Sequence, residues 1–331
     1  MSSFNLVEKK LIELIKERSR TTDSIAGLGI GDDAAFLLLS SMDEGKLIVS
    51  TDSVVEDVHY KIGWCDYADV AIKLIERASS DLLAKGGHPH WALLNMNITK
   101  QFAGEATSYN AFIDAFCEKL KEHHIALIGG DITRSATNSF TMTVLGNTST
   151  FIRRVNPEVE SRDVVVMWGR VGASSFALDE FSSGCKPDGE IAALYRRPEA
   201  CWQNDWLAGL HARVSMDQSD SVIETLETLS GENNLHLKIN LDKIPLSMKV
   251  NHENQTKEEI VKNILKAAED LAVFAIIPPA EINNVSRFQK ITVIGEVIEK
   301  KTKEKQGLVS YYWQNEILQI DQNSENFYKH F

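Results

Sequence analysis

The sequence predicts a mixed α/β (α+β) chain of two domains, and three observations carry that expectation. At 331 residues the chain has room for about two domains of ~150 residues. Short apolar runs of strand type alternate with helical stretches of ~12–18 residues, the pattern of sheets covered by helices. Hydrophobic residues make up 43% and charged residues 25%, with 19 glycines and 7 prolines, which excludes a fibrous or disordered chain.

In chain order, Phe4 to Arg18 sets Leu6, Val7, Leu11, Leu14 and Ile15 on one helical face with Lys and Glu between them. Gly27, Gly29 and Gly31 mark a loop. Leu47 to Ser50 is a short apolar run that ends at Thr51-Asp52. Ala68 to Lys85 reads as a helix stopped by Gly86-Gly87 and Pro89. Trp91 to Ile98 is a strand and Ala106 to His124 a helix. Ile125 to Ile128 is an apolar run ending in Gly129-Gly130-Asp131, and Phe140 to Leu145 alternates as a strand does. The polar stretch Arg153 to Asp163 separates the two parts, giving domains 1–150 and 151–331. In the second, Ser175–Phe181, Ala200–Ala212 and Ser221–Ser230 read as helices. Val164–Trp168, Leu237–Leu241, Leu271–Ile277 and Ile291–Val297 read as strands, and Asn251–Glu259 as a surface loop or helix start.

Charge and cysteines narrow the function. The net charge is −12, with no basic excess in either part, which argues against nucleic acid or an anionic membrane as partner. Cys65, Cys117, Cys185 and Cys201 form no C-x-x-C pair, so reduced thiols are expected rather than a zinc site or a disulfide framework. No apolar run approaches the ~18–20 residues of a membrane span. The N-terminus lacks the pattern of a signal peptide. A soluble, cytoplasmic protein is the expectation.

The informative pattern is acidic: Gly31-Asp32-Asp33, Ser50-Thr51-Asp52, Ser80-Asp81, Gly129-Gly130-Asp131, Asp217-Gln218-Ser219-Asp220 and Glu269-Asp270 all follow short apolar runs or glycine turns. Converging carboxylates repel one another unless a cation neutralises them. Oxygen donors without His or Cys suit Mg²⁺ or Ca²⁺, and Mg²⁺ commonly bridges carboxylates to substrate phosphates. The direct reading is a Mg²⁺–nucleotide site; the structural alternative is a set of turn formers and helix N-caps. Other motifs fail. There is no P-loop, H-E-x-x-H or G-x-S-x-G, and Gly27-Leu28-Gly29-Ile30-Gly31-Asp32 lacks the final glycine of a dinucleotide fingerprint. His88 and His90 around Pro89, and His123-His124 at a helix end, read as turn or packing residues. The aromatics Tyr311, Tyr312, Trp313, Phe327, Tyr328 and Phe331 serve either to pack the last element or to stack on a ligand.

Taken together, GIGDDAAFL (29–37), STDSVVEDVHY (50–60), SSDLLAKGGHPHWALLNMN (79–97), LIGGDITRS (127–135) and SMDQSDSVIETL (215–226) resemble the thiamine-monophosphate kinases of the aminoimidazole ribonucleotide synthetase-like superfamily. Fainter echoes are RRP (196–198), AAEDLAVF (267–274) and FYKHF (327–331). The resemblance implies a two-domain fold whose N-terminal strands build a barrel shared by a homodimer. It implies ATP-dependent, Mg²⁺-assisted phosphorylation of thiamine monophosphate to thiamine diphosphate. By motif position it assigns Asp33, Ser50, Thr51, Asp52, Asp81, Asp131, Asp217 and Asp220 to Mg²⁺. Gly130, Asp131 and Ser219 fall at ATP, with Arg153 and Arg154 near an arginine position that Asn156 occupies. His59, Glu269 and Tyr328 fall at the thiamine phosphate, and Asp52, Asp131 and Asp220 are the catalytic set.

This chain departs from the pattern at Ser221, at Ala267-Ala268 and in Gly172–Leu178, where Phe176 stands in a glycine-rich segment. Lost glycines imply lost backbone freedom and a reshaped acceptor side. Two other readings therefore stay beside the kinase: a superfamily relative using ATP on another small substrate, and a catalytically silent nucleotide-binding protein.

Overall fold

The structure is a computed structural model that describes residues 3–19, 26–28, 36–37, 46–185, 189–247, 256–301 and 307–320. The chain divides into two compact units, one of residues 1–82 and 87–149, the other of residues 83–86 and 150–331.

In the first unit the elements run α1 (Ser3–Arg18), β1 (Ala26–Leu28), β2 (Phe36–Leu37), β3 (Lys46–Val55), α2 (Tyr67–Ala84), β4 (His88–Ile98), α3 (Lys100–Gly104), α4 (Ala106–Glu122), β5 (Ala126–Arg134) and β6 (Ser139–Thr148). Four strands make one sheet in the order β3-β6-β4-β5, antiparallel except for the parallel pair β4–β5. Strict alternation in β6 buries Phe140, Met142 and Val144 on one face, as a half-covered sheet requires. Helices cover that face. Phe112 of α4 stacks on Phe140 at 4.1 Å, and Phe102 of α3 meets it edge-on at 5.5 Å.

Two strands extend beyond their apolar runs. β3 continues through Ser50-Thr51-Asp52-Ser53, because Thr51 and Ser53 place their hydroxyls against those of Thr143 and Thr141 at 3.0 and 2.7 Å. β5 continues through Gly129-Gly130-Asp131. Asp52 and Asp131 thus sit within strands rather than just after them. His88, Pro89 and His90 also lie in a strand, since Gly86-Gly87 already turns the chain. His90 Nε2 lies 2.9 Å from Asn147 Oδ1, a packing role.

The second unit is a seven-stranded sheet in the order β13-β12-β9-β11-β7-β10-β8. Its strands are β7 (Val164–Trp168), β8 (Val214–Asp217), β9 (Leu235–Asn240), β10 (Val273–Ile277), β11 (Ile291–Lys300), β12 (Leu308–Trp313) and β13 (Glu316–Ile317). The helices are α5 (Ala173–Ser182), α6 (Gly189–Arg196), α7 (Asp205–Gly209), α8 (Val222–Asn233) and α9 (Lys257–Lys266), with 3₁₀ turns at Leu241–Lys243 and Pro279–Arg287. β7 and β10 are buried on both faces. Val165, Met167, Phe274 and Ile276 pack with Leu226 and Leu229 of α8 and Ile264 of α9. Val164, Val166, Trp168 and Ala275 pack with Trp206, Leu207 and Val285.

The helix expected over 200–212 contracts to Asp205–Gly209. Asn204 Nδ2 donates to the Leu83 carbonyl and Trp206 Nε1 to Cys201 Sγ, bonds that hold the preceding segment outside a helix. Of the stretch 251–259, residues 251–255 lie outside the described residues, and from Thr256, which caps α9 in a box with Glu259, a helix starts.

Phe140 is fully buried in its aromatic stack. Phe140→Ala is expected to cost ~3–5 kcal/mol, read as a lower urea midpoint with an unchanged m-value.

Candidate functional site

The first unit brings several of the expected residues onto one helix–strand seam. Ser50 and Asp52 are two apart in β3, so their side chains share the face that meets α2. Arg77 and Asp81 are four apart in α2 and also share a face. Ser50 Oγ donates to Asp81 Oδ2 at 2.8 Å. Arg77 Nε donates to Asp52 Oδ2 at 3.1 Å, while Asp52 Oδ1 accepts the Ser53 N–H at 2.6 Å. One helical turn earlier, the buried Lys73 donates from Nζ to the His59 carbonyl at 3.0 Å. His59 Nδ1 accepts the Val55 N–H at 3.1 Å, which puts the neutral ring's proton on Nε2.

Thr51 alternates to the opposite face of β3, against Thr143. Asp131 pairs in register with Asn95, and Asn95 in turn with Thr141, whereas Asp52 pairs with Met142, so Asp131 lies on the face of Thr141 and Asp52 on the opposite, helix-covered face. Asp131 is exposed, and its Oδ2 accepts from Thr133 Oγ1 at 2.9 Å. Gly130 is fixed by close approach: a Cβ there would lie 1.8 Å from the Leu94 carbonyl oxygen. Among the described residues no three His, Cys, Asp or Glu side chains converge into a metal cluster. Asp33 and Tyr328 lie outside the described residues.

In the second unit Asp217 is buried at the end of β8, and Asp220 is exposed three residues on. The fully buried Gln218 ties this loop to the one before β10. Its Nε2 donates to the carbonyls of Asp220 (2.6 Å) and Ala267 (2.8 Å), and its Oε1 accepts the Asp270 N–H at 3.2 Å. Backbone bonds Glu269 N–H to Ser219 O and Leu271 N–H to Gln218 O close the clamp, bringing Ser219 beside Glu269. Glu269 and Leu271 both have φ near +58°, a left-handed conformation rare for such side chains. The residues that replace expected glycines are relaxed. Ser221 has φ −63° and caps α8 in a box with Glu224, and Ala267 has φ −57°. Ala268 and Phe176 also lie outside the positive-φ set. Lost backbone freedom is thus not the consequence of these substitutions.

Arg154 is engaged in an ion pair with Glu232 at 2.6 Å, and Asn156 bonds Asn233, Arg213 and Glu158 as a loop staple. A cavity of about 490 Å³ opens at the end of β7, lined by Trp168, Arg170, Glu199, Asp270 and Lys290 among others. Lys290 binds both Glu199 carboxylate oxygens at 2.7 Å and lies 5.2 Å from the Trp168 ring centroid. The Asp270 carboxylate accepts the Gly172 and Ser174 N–H groups at 2.7 and 3.0 Å. Lys73, Arg77 and Gln218 are not among the carboxylates of the acidic pattern, yet they organise both sites. For the first two the spacing Lys73, Arg77, Asp81 was the available signal; Gln218 carries none.

The donors on the α2 seam are all oxygens, hydroxyl and carboxylate, which fits a hard cation such as Mg²⁺ rather than zinc. A family model described as AIR synthase related protein, N-terminal domain, matches residues 31–148, the stretch that holds this seam. The thiamine-monophosphate kinase of Leptospira interrogans (serogroup Icterohaemorrhagiae, serovar Lai, strain 56601) is 30% identical over 211 residues, 62% of this chain and 68% of that relative. The crystal structure of thiamine-monophosphate kinase from Stenotrophomonas maltophilia K279a has a TM-score of 0.77 at 23% identity, covering 93% of this chain and 96% of that one. A structure described as AaThiL complexed with AMPPCP and TMP has a TM-score of 0.71 at 24% identity, covering 97% of each chain. The match of residues 31–148 defines an AIR synthase-related N-terminal domain. Within that class, the chain belongs to the thiamine-monophosphate kinase family.

Burial pushes the Asp270 carboxyl up to about 6, against the pull of the Ser174 and Gly172 N–H groups. That lies above the unfolded value near ~3.9, so the native state binds more protons than the unfolded chain between the two. The stability this supplies is present below ~4 and is lost as pH rises through about 6. Urea midpoints from pH 4 to 7 are expected to fall for wild type relative to Asp270→Asn, whose side chain does not titrate.

Proposed function

We propose that the protein transfers the γ-phosphoryl group of ATP to thiamine monophosphate, giving thiamine diphosphate and ADP. The observation that carries this reading is the α2 seam, with Ser50, Asp52 and Asp81 as oxygen donors in a chain of this family. The relative described with AMPPCP and TMP supports the choice of substrates.

Mg²⁺, when bound, neutralises phosphate charge and so lowers the cost of bringing two anionic substrates together. Ser50, Asp52 and Asp81 are the residues of the seam that would hold it; Thr51 and Asp131, on the other face of the sheet, and Asp33, Asp217 and Asp220 are assigned to Mg²⁺ by the family resemblance alone. The family resemblance assigns Gly130 and Asp131 of the first unit, and Arg153 and Ser219 of the second, to ATP. Arg154 serves there only after exchanging its Glu232 partner. By the same resemblance His59, whose neutral ring carries its proton on Nε2, and Glu269 are assigned to the thiamine phosphate. Tyr328 completes the acceptor set.

The acceptor oxygen is already ionised at neutral pH, so no side chain has to remove a proton. That oxygen forms the new bond to the γ-phosphorus as the bond from γ-phosphorus to the β,γ-bridging oxygen breaks, and ADP departs with the electron pair. Asp52, Asp131 and Asp220 act by holding charge and position, as phosphoryl transfer requires.

A homodimer through the open face of the first unit's sheet belongs to the same proposal. Leu47 and Val49 are 45% and 56% exposed there, an apolar strip that a second copy would cover. The four free cysteines and the net charge of −12 suit a cytoplasmic enzyme of small anionic substrates.

Purified protein given Mg-ATP and thiamine monophosphate is expected to form thiamine diphosphate and ADP in equal amounts. Asp52→Asn and Asp131→Asn are each expected to lower kcat by about 100-fold or more. Binding of ATP without thiamine diphosphate formation by the folded wild type would overturn the proposal.

A further inference from the structure

Two of the chain's cations are buried on the seam: Lys73 is 1% exposed and Arg77 is 7% exposed. Arg77 places its Nε on Asp52 Oδ2, an oxygen that a divalent cation at Asp52 would also need. The other oxygen, Oδ1, already takes the Ser53 N–H. Asp81, the second carboxylate of the seam, is exposed and accepts from the Ser50 hydroxyl, a neutral group that can also ligate a metal. The two carboxylates are therefore unequal. One carries a permanent monocation from within the protein, and the other faces solvent.

We propose that Arg77 is a positioning residue for Asp52 that competes with divalent metal for the Asp52 carboxylate. This rests on the reading of the seam as a metal site given above. The guanidinium stays protonated at any working pH, so the competition does not switch off. A divalent ion reaching Asp52 shares Oδ2 with Arg77 or displaces it, and in either case meets a fixed positive charge nearby. The same contact holds the Asp52 carboxylate in one orientation before metal arrives. Removing Arg77 thus has two opposite effects: metal binds more tightly, and a less well-oriented carboxylate turns over more slowly. A purely structural arginine would instead weaken both through loss of fold.

The test is Mn²⁺ binding to the full chain without nucleotide, followed by electron paramagnetic resonance, with thermal melts to verify folding. Arg77→Gln is expected to bind Mn²⁺ at least about threefold more tightly than wild type. Arg77→Lys, which keeps the charge, is expected to stay within about twofold. In the kinase assay Arg77→Gln is expected to lower kcat with the acceptor KM unchanged. If Arg77→Gln does not fold, Arg77→Met, which keeps the aliphatic stem, takes its place in the same titration. Asp52→Asn separates the two ideas. Should it leave Mn²⁺ binding unchanged, the metal reading of the seam fails. Should it weaken binding while loss of Arg77 leaves binding unchanged or weaker, the competition proposal alone is overturned.

Discussion

The registry of α2 on β3 is the constraint on which the first unit depends. Four residues of helix rise ~6.0 Å and two residues of strand ~6.6 Å, so polar groups at those spacings meet rung by rung. Arg77 and Asp81 meet Asp52 and Ser50 in that order, and one turn earlier Lys73 reaches the His59 carbonyl in the segment beyond β3. Burying two cations is tolerable only when each finds a partner, because an unpaired buried charge costs several kcal/mol. A one-residue rotation of α2, about 100°, would strand both. Ten-residue pairing of β3 with β6 fixes the other side of the match, so helix and strand lock each other. The polar rungs specify orientation, and the apolar face of the sheet supplies the stabilisation.

The second unit reaches a comparable result by another route. Here a side-chain amide, Gln218, substitutes for a helix as the organiser and ties the loop after β8 to the loop before β10. The backbone strain sits at Glu269 and Leu271, whose left-handed conformations are held by bonds to Ser219 and Gln218. Strained residues persist where surrounding bonds over-determine them. The alanines and the serine at the altered positions adopt ordinary conformations, so this chain has moved away from its family's pattern without forcing those residues.

Much of this was legible in the sequence, and the remainder was hidden for identifiable reasons. Buried strands such as Val164–Trp168 announce themselves as apolar runs, and amphipathic helices such as Phe4–Arg18 by period. β3 and β5 were read too short because Ser50–Ser53 and Gly129–Asp131 are polar or small. Their strand character comes from hydroxyl pairs and backbone partners far away in sequence. Asp52 and Asp81 were found as single carboxylates. Their counterparts Arg77 and Ser50 were not recognised as partners, since a cross-element pair leaves no local pattern. The helix at Gly189–Arg196 and the strand at Leu308–Trp313 were passed over because each is short and acquires its face only from neighbours.

An acidic chain that handles anionic phosphates has to solve a charge problem before any ligand arrives. Excess surface carboxylates are solvated and screened, so the net charge of −12 says little about the site. Inside the seam the balance is local: the Asp52 carboxylate faces a guanidinium, and the His59 carbonyl faces an ammonium. The resting protein therefore keeps its carboxylates ordered without waiting for an external cation. A divalent ion bound to a triphosphate would still carry about two negative charges, and on the proposed reading the exposed Asp81 and Ser50 are the oxygens it would reach without displacing an internal cation. On the same proposal Asp52, whose Oδ2 already takes Arg77, would be the costlier ligand. A bare ion would then compete poorly with Arg77 at Asp52, whereas one held by a triphosphate would gain further contacts to the protein, so the proposed pairing would favour the complex over the free ion.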